Sequence, residues 1–339
     1  MKSPSVPARE HQGTLFIPTS ISFIQDIMKA AIVTEYGNPE NFRITQLPTP
    51  DLEEGQILVQ NKASSVNPVD TLVRQGKTRL ITGLFGQHVL GADFAGIVIK
   101  SNNPSFKVGL EVFGMLNAVK GGAYAEMLVA EEQNLAQKPS NISFAEAASL
   151  PLVGLTAWQG LMADGKLQSG WNVLITGCTG GVGSVAVQIA KHFGNTVTGT
   201  CSAGNADFAR EIGVDHVIIY DQEQVPANGQ FDLIFDASGH FTISDLKGSL
   251  TEEGLFVTTK AGADSLGGAI EAAVDVTFQK RMKLVKVEPD SAQLYQIAQL
   301  VESGAIKPYV SRTFQLEDLG QAHILVEQGG FTGKIAIEI

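Results

Sequence analysis

The run Thr176-Gly177-Cys178-Thr179-Gly180-Gly181-Val182-Gly183 constrains this chain more than any other stretch. It follows a short β-like run, Asn172–Thr176, and opens a helix-period segment over 182–193. Glycines at a strand-to-helix turn allow a tight fold-back. They also let backbone N–H groups approach a pyrophosphate at the positive end of the helix. An ordinary glycine-rich βα turn could hold the same residues. What favours the nucleotide reading is the continuation, in which strand and helix patterns alternate: 196–200, 206–212, 216–219, 231–236, 255–259 and 284–287. Such alternation implies right-handed crossovers and a parallel sheet with helices on both faces, a Rossmann-type α/β unit.

The ribose end bears on the cofactor. An NAD site uses an acidic residue about 20 positions beyond the turn to hold the ribose 2′-hydroxyl. Here the segment reads Gly199-Thr200-Cys201-Ser202-Ala203-Gly204-Asn205, with no acid before Asp207. A carboxylate would repel a 2′-phosphate, so its absence tilts the expectation to NADP(H). Ser202 and Asn205 can donate to that phosphate, and Tyr220 follows the third strand where it could cover the adenosine. Ser202 and Asn205 could equally cap the next helix.

Composition removes several classes. Lys and Arg number 24 against 35 Asp and Glu, a formal charge of −11, so nucleic-acid binding is not expected. Two cysteines, Cys178 and Cys201, can make neither a disulfide framework nor a four-cysteine zinc site, and they fit a cytoplasmic protein. The uncharged stretch 169–190 holds five glycines plus Asn172 and Gln188, so it splits into strand, turn and helix rather than spanning a membrane. Residues 1–27 contain three prolines and no sustained apolar core, unlike a secretory signal; they read as an extension of unknown role.

From 28 to 150, short apolar runs broken by Gly, Pro and Asn suggest a β-rich, partly barrel-like domain. Ser143 and Glu146 have capping-box spacing. The nucleotide-binding unit is expected over 151–288. The tail, 289–339, carries a helix over 291–301 and a terminal alternation, 333–339, resembling the first domain's strands.

Further stretches now matter together: Ser65-Val66-Asn67-Pro68-Val69-Asp70, Gly91-Ala92-Asp93-Phe94-Ala95-Gly96, Gly122-Ala123-Tyr124-Ala125-Glu126, Gly154-Leu155-Thr156-Ala157-Trp158 and Gly333-Lys334-Ile335. With the glycine turn they make residues 28–339 resemble the zinc-independent quinone oxidoreductase branch of the medium-chain dehydrogenase/reductase superfamily. The resemblance implies a GroES-like catalytic domain to which the chain returns after its Rossmann domain, with the cofactor in the cleft between. It implies that Asn67 and Thr156 lie near the nicotinamide as the catalytic pair, with Lys260, Ala261 and Gly262 passing alongside. Gly177, Gly180, Gly181, Val182, Ser238 and Lys334 would complete the cofactor contacts. It also implies a homodimer through Rossmann edge strands, with 254–258 and 282–287 as candidates.

Where zinc-dependent relatives carry Cys and Gly-His-Glu, this chain has Asn67 and Gly91-Ala92-Asp93; Ala92 offers no donor atom and Asn67 a poor one. Only Met115 to Gly122 separate Gly114 from Ala123, leaving little room for a structural zinc lobe. Without a Lewis acid the accessible chemistry is hydride transfer to a small molecule that is already electrophilic, a quinone or α,β-unsaturated carbonyl. Two departures stand out. Leu72 replaces an aromatic residue of some relatives, so solvent is expected to supply the proton, and Gly204 replaces an Arg that others direct at the 2′-phosphate. Leu72 and the absent proton donor leave a non-catalytic NADPH-binding or sensor protein as the alternative, and Gly204 is expected to relax the NADP preference. Asn67 could also be a turn residue before Pro68, Thr156 a helix residue bonding its own backbone, and Asp70 a local cap.

Overall fold

The computed structural model describes residues 27–78, 88–260 and 280–339. Its first strands are β1 (Ile27–Val33), β2 (Phe42–Pro48) and β3 (Ile57–Val66), followed by helix α1 (Pro68–Arg74). Then come β4 (His88–Val89), β5 (Asp93–Ser101), β6 (Glu111–Met115), β7 (Met127–Ala130) and β8 (Leu135–Gln137). Two helices, α2 (Phe144–Ala148) and α3 (Pro151–Trp158), carry the chain across to the second unit. The capping box expected at Ser143 is present: its hydroxyl accepts from the Glu146 N–H, and the Glu146 carboxylate accepts from the Ser143 N–H.

The second unit alternates as its sequence does. It runs β9 (Asn172–Thr176), α4 (Gly181–His192), β10 (Thr196–Cys201), α5 (Ala206–Glu211), β11 (His216–Ile219), β12 (Phe231–Asp236), β13 (Leu250–Thr258) and β14 (Met282–Leu284). Sheet order is β11-β10-β9-β12-β13-β14, and every pairing is parallel. Val173, Leu174 and Ile175 are fully buried, as a strand covered by helices on both faces requires. The order reverses between β9 and β12, and ligands of such sheets bind in the crevice beyond that switch point.

The tail returns as expected. Helix α6 (Ser291–Glu302) leads to β15 (Val310–Gln315), α7 (Leu319–Gln328) and β16 (Lys334–Glu338). β16 pairs antiparallel with β3, Ile335 opposite Val66 and Ala336 opposite Ser65, so the chain's last strand completes the first domain's sheet. One expectation is corrected. β13, which holds 254–258, is hydrogen-bonded by β12 on one side and β14 on the other, so it is no edge. Among the described residues the edge on that side is β14.

Candidate active site

The glycine turn lies where the sequence puts it, at the carboxyl end of β9. The Cys178 N–H donates to the Thr200 carbonyl at 3.0 Å, fixing the turn against β10. A Cβ on Gly183 would collide with the Gly177 carbonyl, so the helix sits close to the strand only because that position is glycine. Helix α4 begins after Gly180, which is extended at φ −77°, ψ −179°. Its first-turn amides, Gly181, Val182 and Gly183, precede the first intrahelical donor, the Ser184 N–H that reaches the Gly180 carbonyl, and no acidic side chain occupies that turn. The backbone and its charge environment suit an anionic pyrophosphate.

A cleft of about 790 Å³ opens there between the two units. Gly177, Gly180, Gly181 and Val182 line it, together with Asn67, Pro68 and Lys334. Ser202, Asn205, Tyr220 and Ser238 line the same space. Although the chain has 35 acidic residues, no carboxylate side chain is among the described residues lining this cleft. Asp207, the first acid after β10, is fully exposed and paired with Arg210 at 2.8 Å. The side chains of Ser202 and Asn205 make no capping bond, and Asn205 Nδ2 donates to the Thr179 hydroxyl at 3.4 Å. Gly204 is exposed, with open space where a Cβ would stand.

Other expected residues are placed differently. Thr156 is buried in α3, where its hydroxyl donates to the Leu152 carbonyl at 2.7 Å, and it does not line the cleft. β-Hydroxyl back-bonding to the preceding turn satisfies it without any ligand. Lys260 does not line the cleft either; its N–H donates to the Thr258 hydroxyl at 3.0 Å. Ala261 and Gly262 lie outside the described residues. Leu72 is half-buried and also away from the cleft.

Asn67 is fully buried at the start of α1 and belongs to a charged network. Its Nδ2 donates to Asp93 Oδ2 at 2.7 Å, and its Oδ1 accepts from Lys334 Nζ at 2.5 Å. Lys334 also donates to the Val66 carbonyl at 2.9 Å and lies 3.7 Å from Asp93. Asp93 accepts further from the Ser65 hydroxyl and from the Leu152 N–H, both at 2.7 Å. That last bond satisfies an orphan donor at the start of α3, where the chain supplies no side-chain cap of its own. Asp70 accepts the Asn67 N–H at 2.8 Å and the Tyr124 hydroxyl at 3.2 Å. Burial pushes the Asp70 carboxyl up to about 7, against the Asn67 N–H, which lowers it. Burial also lowers Lys334, with Asp93 and Asp70 opposing.

A second buried carboxylate, Asp236, ends β12. It accepts from Thr176 at 2.6 Å, Ser238 at 2.7 Å and Thr258 at 2.8 Å, tying together the ends of three strands at the switch point. Sequence reading passed over the hub roles of Asp93 and Asp236. Each is an acid within an apolar strand run, a pattern that demands buried partners. Cys178 is buried, and its thiol is raised by a hydrogen bond with Cys201 and then by burial, which suits a core-facing residue. Among the described residues no group of three or more His, Cys, Asp or Glu side chains could hold a metal ion, and no helix is long and apolar enough to cross a membrane.

Comparisons agree with this architecture. Residues 53–140 match the model described as an alcohol dehydrogenase GroES-like domain, and residues 212–337 match that of a zinc-binding dehydrogenase. The chain is 34% identical over 333 residues to the 2-methylene-furan-3-one reductase of Solanum lycopersicum, covering 94% of this chain and 81% of that protein. It is 31% identical to the chloroplastic NADPH-dependent alkenal/one oxidoreductase of Arabidopsis thaliana, with the same 94% and 81% coverage. The solved structure of the quinone oxidoreductase from Coxiella burnetii is 29% identical, with a TM-score of 0.79 over 93% of this chain and 100% of that one.

Proposed function

The chain belongs to the quinone oxidoreductase branch of the medium-chain dehydrogenase/reductase superfamily, and we propose that it reduces quinones or α,β-unsaturated carbonyls with NADPH, without a metal. It is an oxidoreductase that uses a nicotinamide cofactor; the phosphorylated form and the metal-free chemistry are the finer reading. The observation that carries it is the cleft wall free of carboxylates from Ser202 to Asn67. Ser202 and Asn205 offer uncharged donors where an acid would select against a 2′-phosphate.

Bound in this cleft, the dihydronicotinamide supplies the hydride. The protein's part is to hold and shield. Gly181, Val182 and Gly183 present first-turn amides to the pyrophosphate, and Tyr220 flanks the adenosine end. Val66, Pro68, Leu152, Val153 and Phe331 make the reaction end apolar, which suits a conjugated acceptor and excludes water. Ala92, fully buried, offers no metal donor where zinc-dependent relatives carry one, so the acceptor must already be electrophilic. In this reading 28–150 and 289–339 form the catalytic unit and 151–288 the nucleotide-binding unit. A cytoplasmic homodimer paired through β14 belongs to the same reading, and light scattering tests the dimer.

The test is a panel of quinones, enones and enals incubated with purified protein and NADPH, followed by nicotinamide absorbance, with zinc content measured in parallel. Turnover with conjugated acceptors and sub-stoichiometric zinc is expected. Absence of oxidation across the panel, or one zinc per chain required for activity, contradicts it.

A further inference from the structure

Asp236, fully buried at the end of β12, is surrounded by donors. Its Oδ1 accepts the hydroxyls of Thr176 at 2.6 Å and Ser238 at 2.7 Å. Its Oδ2 accepts the Thr258 hydroxyl at 2.8 Å and the Phe241 N–H at 3.2 Å. A carboxylate ringed in this way only accepts, so it draws the Ser238 proton inward. The Thr176 and Ser238 oxygens also lie 3.0 Å apart, and in either direction of that contact both hydroxyl protons stay inside the cluster. Ser238 Oγ is left with lone pairs. Among the described residues, these meet only the His240 N–H, at 3.3 Å.

Ser238 is half-buried, lines the cleft and abuts the glycine turn, where a Cβ on Gly177 would lie 3.0 Å from the Ser238 Cβ. β12 lies on one side of β9 and β10 on the other. A dinucleotide laid across such a switch point sends one nucleoside to each side of its pyrophosphate. Ser202 and Asn205, after β10, mark the adenosine side, so the ribose over the end of β12 is the one that carries nicotinamide. Ribose hydroxyls can donate to an acceptor. A phosphate cannot when ionised, and the Asp236 carboxylate 2.7 Å from Ser238 Oγ disfavours an anion there.

We propose that Asp236 holds Ser238 as a hydrogen-bond acceptor, and that the donor Ser238 takes is a hydroxyl of the nicotinamide ribose. Asp236 is then a positioning residue: it does not line the cleft and acts through Ser238. The proposal rests on the functional reading above, since it needs NADPH in the cleft. It ties the reactive half of the cofactor to the ends of β9, β12 and β13, separately from the 2′-phosphate. D236N inverts the arrangement. The Phe241 N–H can only donate, so the new amide keeps its oxygen there and turns its nitrogen to Thr176 and Ser238. The displaced Ser238 proton is then available to the ligand.

The experiment reads Kd from nicotinamide fluorescence for the parent, S238A and D236N, with thermal unfolding alongside. The ligands are NADPH, NADH and two NADPH analogues altered at the nicotinamide ribose, one lacking both hydroxyls and one carrying both as methyl ethers. The parent is expected to bind the deoxy analogue about 5- to 10-fold more weakly than NADPH. S238A is expected to lose a similar factor with NADPH and little more with the deoxy analogue, since both changes remove one bond. It should also weaken NADPH and NADH equally. D236N is expected to narrow the gap between NADPH and the methyl ether, whose oxygen accepts the released hydroxyl. Losses that multiply in S238A overturn the proposal. So does a changed NADPH-to-NADH ratio in S238A, which would put Ser238 at the 2′-phosphate. A folded D236N with the methyl-ether gap unchanged contradicts the role given to Asp236. Should D236N not fold, S238A with the deoxy analogue carries the test. Parent protein that binds no NADPH defeats the functional reading and this proposal together. Parent binding indifferent to the ribose hydroxyls defeats the proposal alone.

Discussion

Gly333 donates its backbone N–H to the carbonyl of Thr179 at 2.9 Å, and Gly333 also bridges Gly180, so the returning C-terminal strand is fastened directly to the nucleotide turn. The next residue, Lys334, donates to the Tyr309 carbonyl at 2.8 Å. Gly333 holds φ +65°, and a Cβ there would strike the Tyr309 carbonyl oxygen. G333A is therefore expected to lose roughly 2–4 kcal/mol of stability from left-handed backbone strain plus the clash. Urea unfolding checks this, and NADPH affinity should fall with it because the turn loses its anchor.

Cofactor choice is expected to turn on the segment after β10. S202D places a carboxylate on the cleft wall and should lower the NADPH-to-NADH ratio of kcat/KM by about 10-fold or more through repulsion of the 2′-phosphate. G204R acts in the opposite direction. The site has room for a side chain and no positive φ, so a guanidinium can reach the phosphate. A charge-assisted bond of about 1.5–3 kcal/mol corresponds to a roughly 10- to 100-fold gain in NADPH affinity. Kinetics with both cofactors read both changes.

Two buried groups give stability opposing pH dependences. Asp70 titrates near 7 in the fold against an ordinary 3.8, chiefly through burial. Between those values the folded state holds a proton that the unfolded chain has released, so this group's contribution falls as pH rises from about 4 to 7. His323, fully buried against Phe42 and Tyr124, is lowered to about 3 from 6.5 by burial and then by the Arg74 charge. There the unfolded chain takes up the proton first, and stability falls as pH drops from about 6.5 to 3. Relative to the parent, D70N should gain as pH rises through its window, and H323F should gain as pH falls through its own. Urea midpoints from pH 4 to 8 measure both slopes.

Removing the Asp93 charge should be costly. D93N leaves the Lys334 ammonium buried without its nearest carboxylate and weakens the acceptor at the start of α3. Breaking a buried pair from one side typically costs about 3–5 kcal/mol. The double variant D93N/K334M should lose less than the sum of the two single losses, because the stranded charge is gone. Chemical unfolding of the four proteins tests the coupling.

The fold was largely legible, because strand–turn–helix alternation is a local pattern. β9 spans the expected residues, α4 differs by one residue at each end, and the terminal alternation became β16. The glycine turn and Ser202, Asn205 and Tyr220 were legible at the cleft for the same reason: each follows the carboxyl end of a strand of the parallel sheet, β9, β10 or β11. Thr156 was not placed there, because its hydroxyl finds the Leu152 carbonyl within its own helix. Strand order also lay beyond local pattern, so β13 looked like an edge until β14 covered it. Least legible was the Asn67–Lys334–Asp93 network, whose members are 267 and 26 residues apart in sequence. Nothing local in the sequence says that a lysine at the end of the chain will meet an asparagine near its beginning.

The central claim is hydride transfer from NADPH to a conjugated carbonyl, and isotope tracing tests it most directly. The protein is incubated with NADPH deuterated at C4 and an enone, and the product is examined by NMR. The account predicts one deuterium on the carbon β to the carbonyl, a solvent-derived hydrogen on the α-carbon, and no dependence on added zinc. Deuterium on the carbonyl carbon, or no transfer to enone or quinone while NADPH remains bound, would contradict it.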